Sequence, residues 1–194
     1  MRKKFAVFVS GYGRGAIEII KDYRNGLIKP QLSLLLSSNP ESGSLNFAQS
    51  NDIPCAIIEK SKFETKLEFE NEINLVLSQH EIDYIFLAGW MPIVGSTLLK
   101  KHSNKIINIH PSLLPSFKGL DALDQALDYG VKITGITTHF VDKSIDGGGI
   151  ILQKHVYVDE EDDFQSLDKN MKQFHLKIAH INTAMINLNL AFKI

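Results

Sequence analysis

Five short apolar runs, Phe5–Ser10, Gln31–Ser37, Cys55–Glu59, Tyr84–Ala88 and Lys105–His110, constrain this chain more than any other feature. Each has the length of a strand and is nearly apolar throughout, the pattern of strands buried on both faces rather than on one. Between them lie segments with helical spacing: Ala16–Arg24, Leu45–Asn51, Phe63–Gln79 and Ser96–Lys101. The first places Ile17, Ile19 and Ile20 inward and ends at Gly26. The third, the longest clear helix, shows apolar positions at Leu67, Ile73, Leu75, Val76 and Leu77. Strands alternating with helices predict a parallel sheet covered on both sides.

The chain then changes character. Pro111 and Pro115 stop the fifth strand, since neither donates to a ladder, and Ala122–Tyr129 reads as a helix capped by Gly130. Ile133–Val141 and Ile150–Val158 read as two more strands. Their joint, Asp142–Gly149, is too short for a crossover helix, so this pair is expected to run antiparallel. Ser166–Leu190 closes the chain as a long helix. The expected architecture is α/β, a Rossmann-like three-layer sandwich with a mainly parallel central sheet and an antiparallel C-terminal edge. No repeat or linker interrupts it, so one domain spanning residues 1–194 is expected.

Composition removes several classes of function. A chain of 194 residues can bury a sizeable core without disulfides, and its single cysteine, Cys55, reads as a small buried hydrophobe. A formal net charge of −1 offers no bulk attraction for nucleic acid or for an anionic membrane. The opening M-R-K-K-F-A-V-F-V-S-G superficially resembles a signal peptide, but its apolar core is short and ends in a glycine turn. A soluble, cytoplasmic protein is expected.

Three polar features fall at predicted strand ends. Gly11, Gly13 and Ala16 satisfy G-x-G-x-x-[GA] between a strand and a helix, where backbone N–H groups suit a phosphate and Arg14 adds a charged fork. The acid that should end the second strand of a dinucleotide site is missing. Ser37, Ser38 and Asn39 stand there, which counts against a nicotinamide enzyme. Asn108 and His110, spaced i and i+2, share one face of their strand; an amide and an imidazole so placed suit a reaction that builds negative charge on oxygen. A strand-end amide and a satisfied histidine account for that pair equally well. Asp146 borders three consecutive glycines, which a plain hairpin turn would also explain. Ligands of α/β sheets collect at the carboxyl ends of strands, so these features and Ala88-Gly89 should converge on one crevice.

Over nearly the whole length the chain resembles the glycinamide ribonucleotide formyltransferase family. The resemblance is carried by L-A-G-W-M (Leu87–Met91), N-I-H-P-S-L-L-P-S-F-K-G (Asn108–Gly119), V-K-I-T-G-I-T-T-H-F-V-D (Val131–Asp142) and I-D-G-G-G-I-I-L-Q (Ile145–Gln153). It implies the formyltransferase fold and passage of a formyl group from 10-formyltetrahydrofolate, as co-substrate, to an amine in purine biosynthesis, with no metal. By position Asn108, His110 and Asp146 match the family's catalytic trio. Met91, Pro92, Ile93 and Val94 with Val141, Asp142 and Ile145 would hold the folate. Gly11, Tyr12, Gly13, Arg14 and Gly15, with Lys66, Gly89 and Pro111, would hold the phosphorylated amine. A monomer or weak homodimer with small-molecule partners is expected.

The departures lie mostly on the amine side. The family's Gly-Asn-Gly-Ser-Asn turn is here Gly-Tyr-Gly-Arg-Gly, a Gln and a Glu near the end are Met171 and Phe174, and His175 is kept. An Arg after Met91 is Pro92, and a His-Xaa-His is Asp121-Ala122-Leu123. They keep open a formyltransferase for another amine, such as a nucleotide-linked amino sugar, and a folate-binding relative that no longer turns over. A folate hydrolase would need an Asn-His-His run, and Ile109 separates Asn108 from His110.

Overall fold

The computed structural model describes residues 2–171. Seven strands form one sheet in the order β3-β2-β1-β4-β5-β6-β7. They are β1 (Lys4–Val9), β2 (Gln31–Ser37), β3 (Cys55–Ile57), β4 (Tyr84–Leu87), β5 (Ile106–His110), β6 (Ile133–Phe140) and β7 (Ile150–Tyr157). The first five pair in parallel. β5–β6 and β6–β7 pair antiparallel, so the expected C-terminal edge is present.

Helices α1 (Arg14–Arg24), α2 (Gly43–Gln49), α3 (Lys66–Gln79), α4 (Ser96–Lys101) and α5 (Ala122–Tyr129) connect the strands. The alternation of side chains along β1 explains the layers. Phe5, Val7 and Val9 point toward α1 and α2, into a cluster with Ile19, Ile20 and Leu45. Ala6 and Phe8 point the other way, toward Phe69, Ile73, Leu77 and Leu98 of α3 and α4. A third cluster joins Leu123 of α5, Ile136 of β6, Val156 of β7, Leu167 and Met171. Helical backbone runs over residues 164–171; the rest of the helix expected over Ser166–Leu190, with Phe174 and His175, lies outside the described residues.

Local boundaries differ from expectation where side chains intervene. α3 starts at Lys66, not Phe63, because Thr65 and Glu68 form a reciprocal cap, and a single 3-10 turn occupies Lys60–Lys62. Leu67 and Leu75 of α3 are exposed, while Glu70 and Asn74 are buried beside Phe69, Ile73 and Leu77. The buried polar pair has a task. Glu70 accepts the backbone N–H groups of Gly95, Thr97 and Leu98 at the start of α4, and Asn74 Oδ1 meets His102 Nε2 at 2.9 Å. A carboxylate holding orphan N–H groups of a helix start replaces solvent there. Cys55 is half-buried rather than fully buried, its thiol near the Ile53 carbonyl at 3.4 Å, and burial pushes that thiol's pKa up.

Candidate active site

The sheet order reverses between β1 and β4, whose carboxyl ends therefore flank an open crevice. The loops leaving them are tied together. Ser10 N–H donates to the Gly89 carbonyl at 3.0 Å, and Met91 N–H donates to the Ser10 hydroxyl at 2.9 Å. Gly89 itself has φ 81, a left-handed turn straight after β4.

On one side of the crevice lies the glycine turn. Gly13 takes φ 83, and a Cβ there would fall 2.3 Å from Ser44 Oγ, so glycine is required twice over. Ser44 N–H and the Ser42 hydroxyl both donate to the Tyr12 carbonyl, at 3.0 and 3.3 Å, which pins the turn to the start of α2. The first backbone bond of α1 runs from Ile17 N–H to the Gly13 carbonyl, so the N–H groups ahead of it point out of the helix end. Gly11, Tyr12, Arg14 and Gly15 are exposed around them. Lys66 lies at the first turn of α3 with its stem against Gly95.

On the other side the loop after β4 presents Met91 and Ile93, each 70% exposed, and the loop after β6 presents Ile145 at 63%. Large apolar side chains left this open at a strand-end crevice form walls fit for a flat ring. Pro92, Val94 and Val141 are half-buried behind them, and Asp142 is exposed. Asp142 accepts both the N–H and the hydroxyl of Ser144, which hold its carboxyl below the ordinary range.

Beyond β4 in the sheet order, β5 and β6 bring four polar side chains together. Asn108 lies directly opposite His139, and His110 opposite Thr137. Asn108 Nδ2 meets His139 Nε2 at 3.2 Å, and His139 Nδ1 meets the Phe140 carbonyl at 2.9 Å. His139 Nδ1 must carry the hydrogen to satisfy that carbonyl, so Nε2 is a lone pair accepting from the amide. Burial, the largest influence, lowers the pKa of His139, the Phe140 carbonyl and Asp146 opposing it, and the neutral tautomer agrees with that direction.

Asp146 reaches both rings. Its Oδ1 is 3.5 Å from His139 Nε2, and its Oδ2 is 3.4 Å from His110 Nδ1. His110 Nε2–H donates to the Phe117 carbonyl at 2.7 Å, so both its nitrogens face acceptors. Asp146 Oδ2 also accepts Gly119 N–H at 2.8 Å. The side chains of His110, His139 and Asp146 are 6, 2 and 12% exposed, so the carboxylate's interactions there are poorly screened by solvent. Asn108, His110 and Asp146, predicted from the sequence, thus lie together around His139, which the sequence alone does not single out.

A model of the formyl transferase family matches residues 3–181. The chain belongs to the formyl transferase family. A phosphoribosylglycinamide formyltransferase of Bacillus subtilis (strain 168) is 40% identical over 175 residues, 90% of each chain. The human trifunctional purine biosynthetic protein adenosine-3 is 37% identical over 91% of this chain, which spans 18% of that longer protein. The crystal structure of a phosphoribosylglycinamide formyltransferase from Bacillus halodurans superposes with a TM-score of 0.91 and 34% identity, covering 98% of this chain and all of that one. This formyltransferase is an enzyme with the fold expected of its family.

One expected departure changes meaning in the structure. Met171 is fully buried against the third core cluster, so it serves packing and does not face the crevice as an altered acceptor contact. Among the described residues no group of three or more His, Cys, Asp or Glu is placed to hold a metal ion. Among the same residues no helix is long and apolar enough to cross a membrane.

Proposed function

We propose that this formyltransferase moves a formyl group from 10-formyltetrahydrofolate to the amine of glycinamide ribonucleotide, as one cytoplasmic domain acting as a monomer or weak dimer. The observation that carries the reading is the convergence of Asn108, His110 and Asp146 around His139, near an apolar wall and a helix start. The folate supplies an activated formyl carbon, and attack by the amine turns its carbonyl oxygen into an oxyanion. Asn108 Nδ2 has two hydrogens; His139 holds one and thereby aims the other at that oxygen. His110 Nδ1 stands 3.4 Å from the carboxylate, too long for a firm bond, so the ring can donate to the oxyanion while Asp146 balances its charge. Removing one such donor typically costs about a hundred- to a thousandfold in rate. A water anchored by Asp146 relays the proton that the amine sheds to the folate nitrogen, and cleavage of the bond between that nitrogen and the formyl carbon releases tetrahydrofolate.

The exposed walls at Met91, Ile93 and Ile145, with Pro92, Val94, Val141 and Asp142 around them, receive the folate ring. Gly11, Tyr12, Gly13, Arg14 and Gly15, assisted by Lys66, Gly89 and Pro111, receive the phosphorylated amine. The test is purified protein with 10-formyltetrahydrofolate and a panel of amines, followed by the absorbance change on loss of the formyl group. Turnover with glycinamide ribonucleotide well above that with nucleotide-linked amino sugars is expected. Faster turnover of an amino sugar would overturn the acceptor, and no turnover of any amine would overturn the reaction.

A further inference from the structure

The partners that fix His110 and Asp146 are backbone groups of a single loop, residues 116–121. The Phe117 carbonyl takes the Nε2–H of His110, and Gly119 N–H donates to Asp146 Oδ2. That loop holds an unfavourable shape. Phe117 has φ 52, Gly119 φ 84 and Asp121 φ 55, and a large side chain in the left-handed region persists only where its surroundings impose it.

What imposes it comes from α5. The Gln125 amide donates to the Leu120 carbonyl at 2.7 Å and reaches the Lys118 carbonyl at 3.4 Å. The Tyr129 ring meets the Phe117 ring edge to face, with centroids 6.0 Å apart and planes inclined at 63°. Gln125 and Tyr129 are four residues apart, so they stand one above the other on one side of the helix. At the loop's other end, the Ser112 hydroxyl donates to the Ser116 carbonyl at 2.6 Å. Carbonyls 116, 117, 118 and 120 are thus all engaged from outside the loop, the first by Ser112, the second by His110 and the last two by Gln125. Tyr129 is 80% exposed, so burial of its own surface does not explain its placement.

We infer that Gln125 and Tyr129 are positioning residues for the formyl transfer: together they clamp the loop whose Phe117 carbonyl and Gly119 N–H orient His110 and Asp146. The inference rests on the proposed roles of that pair. Neither residue lines the apolar wall or the glycine turn, so the clamp should act on turnover and not on substrate binding.

The experiment compares Gln125→Ala, Tyr129→Ala and Tyr129→Phe with the wild-type enzyme. Both alanine variants should lower kcat by about fivefold or more, the worth of one ring contact or one amide bond, with both KM values changed less than twofold. Tyr129→Phe keeps the ring and should retain wild-type kcat. Proton NMR of the free enzyme adds a readout independent of turnover. The slowly exchanging His110 Nε2–H resonance, assigned by its loss in His110→Asn, should broaden or vanish in Tyr129→Ala and persist in Tyr129→Phe. Wild-type kcat and an unchanged resonance in both alanine variants would overturn the clamp. A lost resonance in a protein that transfers no formyl group would support the clamp and overturn the function.

Discussion

Gly148, a buried glycine two residues after Asp146, is the residue whose replacement most sharply tests the placement of that carboxylate. A Cβ on Gly148 would fall 1.9 Å from the carbonyl oxygen of Phe140, whereas real Cβ atoms essentially never come nearer than 3.0 Å to a neighbour. The obstacle is backbone of β6, so the loop must give way by at least 3.0 − 1.9 = 1.1 Å. The φ of Gly148 is not in the left-handed region, so the penalty of Gly148→Ala is this collision and not a forbidden backbone. Asp146 lies two residues away, with contacts at 2.8 Å to Gly119 N–H and 3.4 Å to His110 that do not survive such a shift. A misplacement of about 1 Å at a reacting centre costs about a hundredfold in rate. Gly149 supplies the control: a Cβ there would meet only Phe140 Cδ2 at 3.9 Å, an ordinary contact. The assay is kcat for formyl transfer under saturating substrates, with a thermal melt to show that each variant is folded. Gly148→Ala should lose about two orders of magnitude and Gly149→Ala less than threefold. Equal activities for the two variants would refute the claim that this glycine sets the carboxylate.

Asp146→Asn keeps shape but removes the charge opposite His110, and kcat should fall at least about a hundredfold with the protein still folded; near-normal turnover would remove Asp146 from the mechanism. Arg14→Ala should raise the KM for the phosphorylated amine without changing that for the folate, and equal effects on both would place Arg14 elsewhere. His102 is 7% exposed, and burial, with Lys101 and Lys105 nearby, lowers its pKa to about 4 from an ordinary 6.5. The unfolded chain therefore takes up the proton first, so stability is full above about pH 6.5 and falls as pH drops toward 4. The loss between pH 7 and pH 5 is about 2 kcal/mol. His102→Gln keeps a donor for Asn74 and should flatten that slope in denaturant melts; an unchanged slope would show that other groups carry it.

Much of the fold was legible because the strands announce themselves twice, by apolar composition and by the glycines and prolines that end them. The antiparallel edge followed from a single length, the short joint Asp142–Gly149. What could not be read was which face of α3 would turn inward. Its letters favour Leu67 and Leu75, yet both are exposed, because Glu70 and Asn74 are drawn in to serve the start of α4 and His102. A helix period counts hydrophobic residues and has no way to register that a neighbouring helix start needs a carboxylate. Met171 shows the reverse error: a position that family resemblance assigns to an acceptor contact is core, fully enclosed by Leu123, Ile136, Val156 and Leu167.

The site divides along the same line between side-chain chemistry and register. Asn108, His110 and Asp146 are conspicuous as residue types, and two of them share a strand face by simple alternation. His139 lies within a recognisable segment, but its partnership with Asn108 depends on β5 pairing antiparallel with β6 across a long connection whose length sets no register. The other hidden members are backbone groups, the Phe117 carbonyl and Gly119 N–H, which carry no letter at all. Asp146 itself has φ 46, a conformation that an aspartate tolerates better than most residues and that two following glycines make room to reach. The hairpin reading and the catalytic reading of I-D-G-G-G therefore do not compete. The tight turn is the means by which a carboxylate is brought back over β5, within reach of both His110 and His139.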